Sequence, residues 1–322
     1  MSILVYTESE NGKFKKTALE TVAYAKGIAE QLQTTVTALA INAEEVDALG
    51  DYGATKVLKV SNDKLSKFNA EAYADVIVQA TKKEGANVVV IGQTANDKYI
   101  APLLTADLEA GYIANAVALP ESTAPFQVKQ SAFTNKGFAL TEIKADIKII
   151  GLSKNAYGLK ENKVEMKTEE FHPELSTDDF SITVEAVDKA TNKVTIADAE
   201  VVVSGGRGMK GPENWGMLED LAEVMGAALA CSKPVSDMGW RPRGEHVGQT
   251  GKPVNTNLYI AVGISGAIQH LAGVNASKHK LVINNDPEAP FFKAADYGVV
   301  GDAFEVVPKL TEKIKAFKAA ND

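Results

Sequence analysis

A rhythm constrains this chain more than any single motif. Short apolar runs of strand length recur between segments of helix-forming composition, and the rhythm runs twice. In the first half Ser2–Thr7, Val36–Ile41, Lys56–Val60 and Asn87–Gly92 are strand-like, and 17–31, 68–82 and 98–109 are helix-like. The continuous valines of Asn87–Gly92 imply a strand buried on both faces. Strands separated by helices of ~10–15 residues predict a parallel sheet with right-handed crossovers.

Between about 126 and 165 the character changes. Residues 139–150 alternate apolar and polar, as half-exposed antiparallel strands do. Residues 167–193 are polar throughout, which puts a domain boundary near their end: an N-terminal α/β domain over 1–190 and a second domain over 191–322. There the rhythm restarts. Strands are expected at 199–203, 258–262, 280–284 and 298–302, with an apolar stretch at 227–231. Helices are expected from Pro212, a residue suited to a first turn, to Met225, through Leu271, and over 309–318. No repeat of ~20–50 residues is evident.

Composition removes several function classes. The 322 residues suit two ordinary domains. Lys plus Arg number 34 against 42 Asp plus Glu, a net charge of -8, which argues against a partner made of nucleic acid. The single cysteine, Cys231, allows neither an intrachain disulfide nor a cysteine-held metal cluster. His172, His246, His270 and His279 are scattered without a helical metal-ligand spacing, so no metal site is expected. No apolar run approaches the ~20 residues of a membrane helix, so no membrane insertion is expected. The start, MSILVYTESENGKFKK, is a strand followed by a polar turn and not a signal peptide. A reducing compartment is the default, and the Met1 start favours a bacterial cytoplasm over a mature mitochondrial form.

Three strand-to-loop junctions in the second half are rich in Gly, Ser, Asn or Asp. In an open parallel sheet, ligands bind outside the carboxyl ends of the strands. Gly206-Arg207-Gly208-Met209-Lys210-Gly211 matches G-x-G-x-x-G between a strand and a helix. No acid follows for a ribose hydroxyl, however, so the nicotinamide fingerprint is incomplete. Val247-Gly248-Gln249-Thr250-Gly251 is a polar turn in an irregular stretch. Gly263-Ile264-Ser265-Gly266 hands a strand over to a helix, where backbone amides can face an anion, and His270 follows one turn later. No nucleophile accompanied by its own base and no paired carboxylates emerge, so no catalytic residue is named. A chain of this kind holds a ligand that supplies the chemistry.

The run Leu258-Tyr259-Ile260-Ala261-Val262-Gly263-Ile264-Ser265-Gly266-Ala267-Ile268-Gln269-His270-Leu271-Ala272-Gly273, followed by Ile283-Asn284-Asn285-Asp286, closely resembles the signature of the electron-transfer flavoprotein alpha subunit. Ser204–Gly208, Val247–Gly251, Asp286–Pro290 and Ala295–Gly298 support it. The resemblance is strong over about 199–310 and less specific in the first half. It implies a nucleotide-hydrolase-like parallel-sheet domain with some antiparallel strands, then a flavodoxin-like or Rossmann-type FAD-binding domain. It also implies a heterodimer with a beta subunit that takes single electrons from acyl-CoA and other dehydrogenases. These electrons pass to a membrane flavoprotein-quinone oxidoreductase, and the carrier turns over no substrate of its own.

Carried over residue by residue, the FAD contacts are Arg207, Ser232, Lys233, Val247, Gly248, Gln249, Thr250, Ser265, Gly266, Ala267, Ile268, Gln269, His270, Asn284, Asp302 and Ala303. The resemblance puts Thr250 near flavin N5 and His270 near the pyrimidine edge. It puts Ser265 to Ala267 by the phosphates, with Asn284 and Asp302 toward the adenosine end. Where the family commonly has Ser-Arg-Pro, this chain has Ser232-Lys233-Pro234. The family arginine is held to lie over the isoalloxazine and favour the anionic flavin; lysine keeps the charge and loses the planar guanidinium. A unit charge at ~4 Å in an effective dielectric of ~20 is worth up to ~4 kcal/mol, on the order of 150 mV for one electron. Either Lys233 supplies that charge, or it points to solvent and Arg207 alone does.

Two other readings stay open on sequence: an NAD-dependent dehydrogenase, resting on the G-x-G-x-x-G match, and a nucleotide-binding regulatory module. Also open are the donor dehydrogenase, simple transfer or bifurcation, and whether the isolated chain retains FAD.

Overall fold

The computed structural model describes residues 2–187, 194–197 and 199–321. Two compact units are present, each built around its own sheet. The boundary expected between residues 190 and 191 lies outside the described residues.

The first unit contains β1 (Ser2–Thr7), α1 (Lys16–Leu32), β2 (Thr35–Ile41), β3 (Lys56–Val60), α2 (Ala70–Glu84), β4 (Val88–Ile91), α3 (Ala95–Asp107) and β5 (Gly111–Ala116). It continues through β6 (Phe126–Ala132), β7 (Gly137–Glu142), β8 (Lys148–Leu152) and β9 (Lys167–Glu170). The sheet order is β7-β6-β5-β8-β4-β1-β2-β3-β9. Its centre is parallel and its β5–β6 pairing antiparallel, in line with the mixed sheet expected. Successive residues of β1 serve opposite faces: Ile3 and Val5 join one core, Leu4 and Tyr6 the other. Helices on both faces make that double burial possible.

Local chemistry sets the helix ends. Asn69 accepts from the Glu71 and Ala72 amides to start α2, and Gly85, in the left-handed region, ends it. Thr94 and Asp97 form a reciprocal capping box at the start of α3, so that helix begins at Ala95, three residues before the expected Lys98.

Two segments differ from expectation. Residues 148–152 are not a half-exposed antiparallel strand but the buried β8, parallel to both β4 and β5. The alternation before Lys148 masked the apolar run Ile149-Ile150-Gly151-Leu152. The polar stretch after 167 also contributes a strand. β9 pairs parallel with β3 at the sheet edge, where Glu169 meets Lys56 at 2.7 Å and Lys83 at 2.9 Å.

The second unit contains β10 (Val201–Gly205), α4 (Gly216–Met225), β11 (Ala228–Ser232), α5 (Lys233–Asp237) and β12 (His246–Val247). Then come β13 (Leu258–Val262), α6 (Ile268–Val274), β14 (His279–Asn284), β15 (Tyr297–Val300) and α7 (Ala303–Asn321). All six strands are parallel, in the order β12-β11-β10-β13-β14-β15. Counted along the chain this is 3-2-1-4-5-6, the order of the doubly wound dinucleotide-binding sheet. Separate apolar clusters pack on its two faces, one around Tyr259 and Phe291, the other around Leu218, Ile260 and Val262. Among the described residues no helix is long and apolar enough to cross a membrane.

Candidate functional site

Parallel strands deliver all their carboxyl ends to one edge. Arg207 follows β10, Ser232 ends β11 and Lys233 follows it. Val247 ends β12, and Gly248 to Thr250 follow. Ser265 to His270 follow β13, Asn284 ends β14, and Asp302 and Ala303 follow β15. Every residue singled out from the sequence therefore belongs to this one edge. The strand order reverses between β10 and β13, whose loops flank the point where such sheets bind ligands.

The loop after β13 is clamped from two sides. The Phe291 amide donates to the Ser265 carbonyl (3.0 Å), and Asn284 Nδ2 donates to the Ile264 carbonyl (3.1 Å). Gly266 has φ +85°, and a Cβ there would stand 2.5 Å from the Phe291 nitrogen. Only glycine satisfies both the left-handed backbone and that approach. The amides of Ser265, Gly266, Ala267, Ile268 and Gln269 meet no acceptor among the described residues. Consecutive free N–H groups leading into a helix complement the oxygens of an anion such as a diphosphate.

The loop after β12 lies against α6. The Gln249 amide donates to the Gln269 carbonyl and the Val254 amide to the Gly273 carbonyl, both at 2.7 Å. A Cβ on Gly273 would stand 2.6 Å from Gly248 Cα, so the two backbones touch only because residue 273 is glycine. The side chains of Gln249 and Thr250 are left exposed.

His270 is buried within this junction, its Nε2 2.9 Å from the Tyr259 hydroxyl and its Nδ1 without a hydrogen-bond partner. Burial, and secondarily His246, pushes its pKa down to about 4 against a small opposing pull from the Val247 carbonyl. The ring is therefore neutral at neutral pH. Burial pushes the Tyr259 phenol well up, so its hydroxyl keeps its proton and shares one hydrogen bond with Nε2, whose direction follows the ring's tautomer. This pair, which strand periodicity alone could not reveal at Tyr259, ties β13 to α6.

The cations differ in their freedom. Arg207 is exposed and makes no side-chain hydrogen bond or ion pair among the described residues. Lys233 is exposed too, but its Nζ lies 2.6 Å from Asp237 Oδ2. Sequence reading passed over Asp237, although its i,i+4 spacing from Lys233 was the available signal. Ser232 is buried and its side chain does not cap α5. Asn284 Oδ1 accepts from the Asp286 amide and Asp302 Oδ1 from the Phe304 amide, so both side chains brace the protein itself. The Cys231 thiol, pushed up to about 12 chiefly by burial, is no nucleophile. Among the described residues no group of three His, Cys, Asp or Glu is placed to hold a metal ion.

The G-x-G-x-x-G match has a different use. Gly206 and Gly208 pack against the backbone of Gly263, so their missing side chains serve loop-to-loop contact. Two short 3-10 turns follow, and α4 begins only at Gly216. The helix start that would receive a pyrophosphate is not at this loop, which removes the basis for a nicotinamide reading.

Comparison with known proteins identifies the family. Residues 195–275 match the family described as the electron transfer flavoprotein FAD-binding domain, and residues 3–179 the electron transfer flavoprotein domain. The electron transfer flavoprotein subunit alpha of Bacillus subtilis is 35% identical over 316 residues, covering 97% of each chain. The subunit alpha of Thermoanaerobacterium thermosaccharolyticum is 35% identical over 326 residues, and that of Mycobacterium leprae 34% over 317, each covering 98% of both chains. The chain belongs to the electron transfer flavoprotein family, similar along nearly its whole length to the alpha subunits and containing the family's FAD-binding domain.

Proposed function

We propose that this chain pairs with an electron transfer flavoprotein beta subunit and carries single electrons from acyl-CoA and other dehydrogenases to a membrane flavoprotein-quinone oxidoreductase. It does so in a bacterial cytoplasm, without substrate turnover of its own. Residues 191–322 act as the FAD-binding domain and 1–190 as the N-terminal α/β domain. One observation carries the reading: the unpaired amides of Ser265 to Gln269 at the carboxyl edge of a 3-2-1-4-5-6 sheet.

The residues present fit FAD. The Ser265–Gln269 amides would hold the diphosphate, and exposed Ile268 offers apolar surface beside them. Arg207 would contribute an unpaired positive charge, and the exposed Gln249 and Thr250 would offer polar groups to the isoalloxazine. Ser232 and Lys233 lie at the neighbouring strand end. Asn284 acts by holding the Ile264–Ser265 backbone in place, and Asp302 by capping α7. Neutral His270, pinned by Tyr259, keeps the Val247–Thr250 loop seated on α6. When bound, FAD supplies the capacity to take up and release electrons one at a time. The hydroxyls of Ser232, Thr250 and Ser265 have no base within hydrogen-bond reach among the described residues, which leaves the protein the tasks of binding and tuning.

The test is a visible spectrum of the chain co-purified with its beta subunit during stepwise anaerobic reduction. Flavin bands that change in two one-electron stages, and that bleach when an acyl-CoA dehydrogenase and its substrate are added, are expected. A colourless complex overturns FAD binding; a flavin that no acyl-CoA dehydrogenase reduces overturns the donor.

A further inference from the structure

Lys233 and Asp237 face each other across one turn of α5, both more than half exposed, at 2.6 Å. Opposite charges so close act on a group several ångströms away as a dipole, and much of the ammonium's field is cancelled there. The pair is not isolated from the sheet edge. His246, at the start of the adjacent β12, is held below the usual imidazole range chiefly by burial, then by Lys233, while Asp237 pulls it back up. Both charges thus reach the neighbourhood of the Val247–Thr250 loop. Arg207, in contrast, has no counter-charge among the described residues.

We infer that Asp237 is a positioning residue that restrains Lys233 and so sets how much positive charge the bound isoalloxazine senses when it accepts its first electron. This rests on the reading that FAD lies at this edge with Lys233 beside its ring. Lysine suits such control. Its ammonium is a point charge on a flexible stem, free to swing toward the ring once released, whereas a stacked guanidinium is held by its own planar contacts.

The test uses the FAD-loaded heterodimer in four forms: unaltered, Asp237→Asn, Lys233→Met and the double variant. Asp237→Asn removes the anion at nearly constant size. It is expected to raise the first-electron equilibrium constant about tenfold, equivalent to 59 mV for one electron. Lys233→Met lowers that potential, and adding Asp237→Asn to Lys233→Met raises it by clearly less than Asp237→Asn does alone, because only the aspartate's own field is then removed and there is no lysine left to release. A second readout is independent of the flavin: in NMR titration, Asp237→Asn moves the His246 pKa down and Lys233→Met moves it up.

An unchanged potential in Asp237→Asn, with Lys233→Met lowering it, overturns the role of Asp237 and leaves the FAD reading intact. A shift as large in the Lys233→Met background as in the unaltered chain overturns action through the lysine. No change in either single variant, with FAD bound, overturns the placement of Lys233 beside the ring.

Discussion

Acidification from pH 7 to 5 weakens the second unit, chiefly through His270, with His246 adding in the same direction. Its folded pKa of about 4 lies below the ordinary 6.5, so the unfolded chain binds the proton more readily. The contribution is fully present above pH 6.5 and is lost as pH falls toward 4. Integrating between those values gives a loss of about 2 kcal/mol from pH 7 to 5, rising to about 3 kcal/mol below pH 4. The ring is 7% exposed, so solvent screening does little to reduce this figure. Both tryptophans, Trp215 and Trp240, belong to the second unit, so tryptophan fluorescence during urea unfolding reports that unit alone. His270→Gln is expected to be about 1 kcal/mol less stable at pH 7, having lost a buried hydrogen bond to Tyr259, yet much flatter in its response to acid. The difference between the two proteins at pH 7 and 5 isolates His270 from His246 and every other titrating group. If His270→Gln loses as much stability on acidification as the unaltered chain, the neutral buried ring is refuted.

The first unit responds with the opposite sign. Asp97 is 2% exposed, one of its oxygens has no hydrogen-bond partner, and burial raises its pKa to about 6. Its stabilising contribution is full below about 3.8 and lost as pH rises through 6, so from pH 7 to 5 the first unit gains about 1 kcal/mol. Circular dichroism melts of Asp97→Asn lack that gain, and an undiminished gain would sink the assignment. Thr94→Ala removes the capping box that starts α3 and costs about 1 kcal/mol, read in the same melts; no change would mean that the box is idle. Gly266→Ala forces a Cβ against the Phe291 backbone at a left-handed position and displaces the Ser265–Gln269 amides. The heterodimer then purifies with less FAD per mole, and full occupancy would show that those amides do not hold the cofactor.

Much was legible in the chain itself. β1, β3 and β13 have the bounds that their apolar runs predict, because strand identity follows from local hydropathy. The candidate edge was legible for a related reason. Gly263 and Gly266 stand where backbone conformation and close approach admit little else, and such demands are written into single positions. Elements that depend on their neighbours were not legible. β8 was masked by the alternation before it, and β9 forms by backbone pairing along the distant β3, with Glu169 across from Lys56 and Lys83. Neither fact is visible within the segment concerned.

The sequence alone determined two α/β sheets, the exclusion of disulfide and cysteine-cluster chemistry, and the loops that bear the candidate contacts. These follow from short-range pattern and count. Only the tertiary structure decided the strand order that sets β13 beside β10, and with it the packing of Gly206 and Gly208 against Gly263 in place of a pyrophosphate. It also decided that Asn284 and Asp302 brace the protein, that Tyr259 fixes His270, and that Asp237 shares the charge of Lys233. Hydrogen bonds and charges are settled by whichever partner is nearest in space, and parallel strands choose their neighbours through crossovers that no local window of sequence contains.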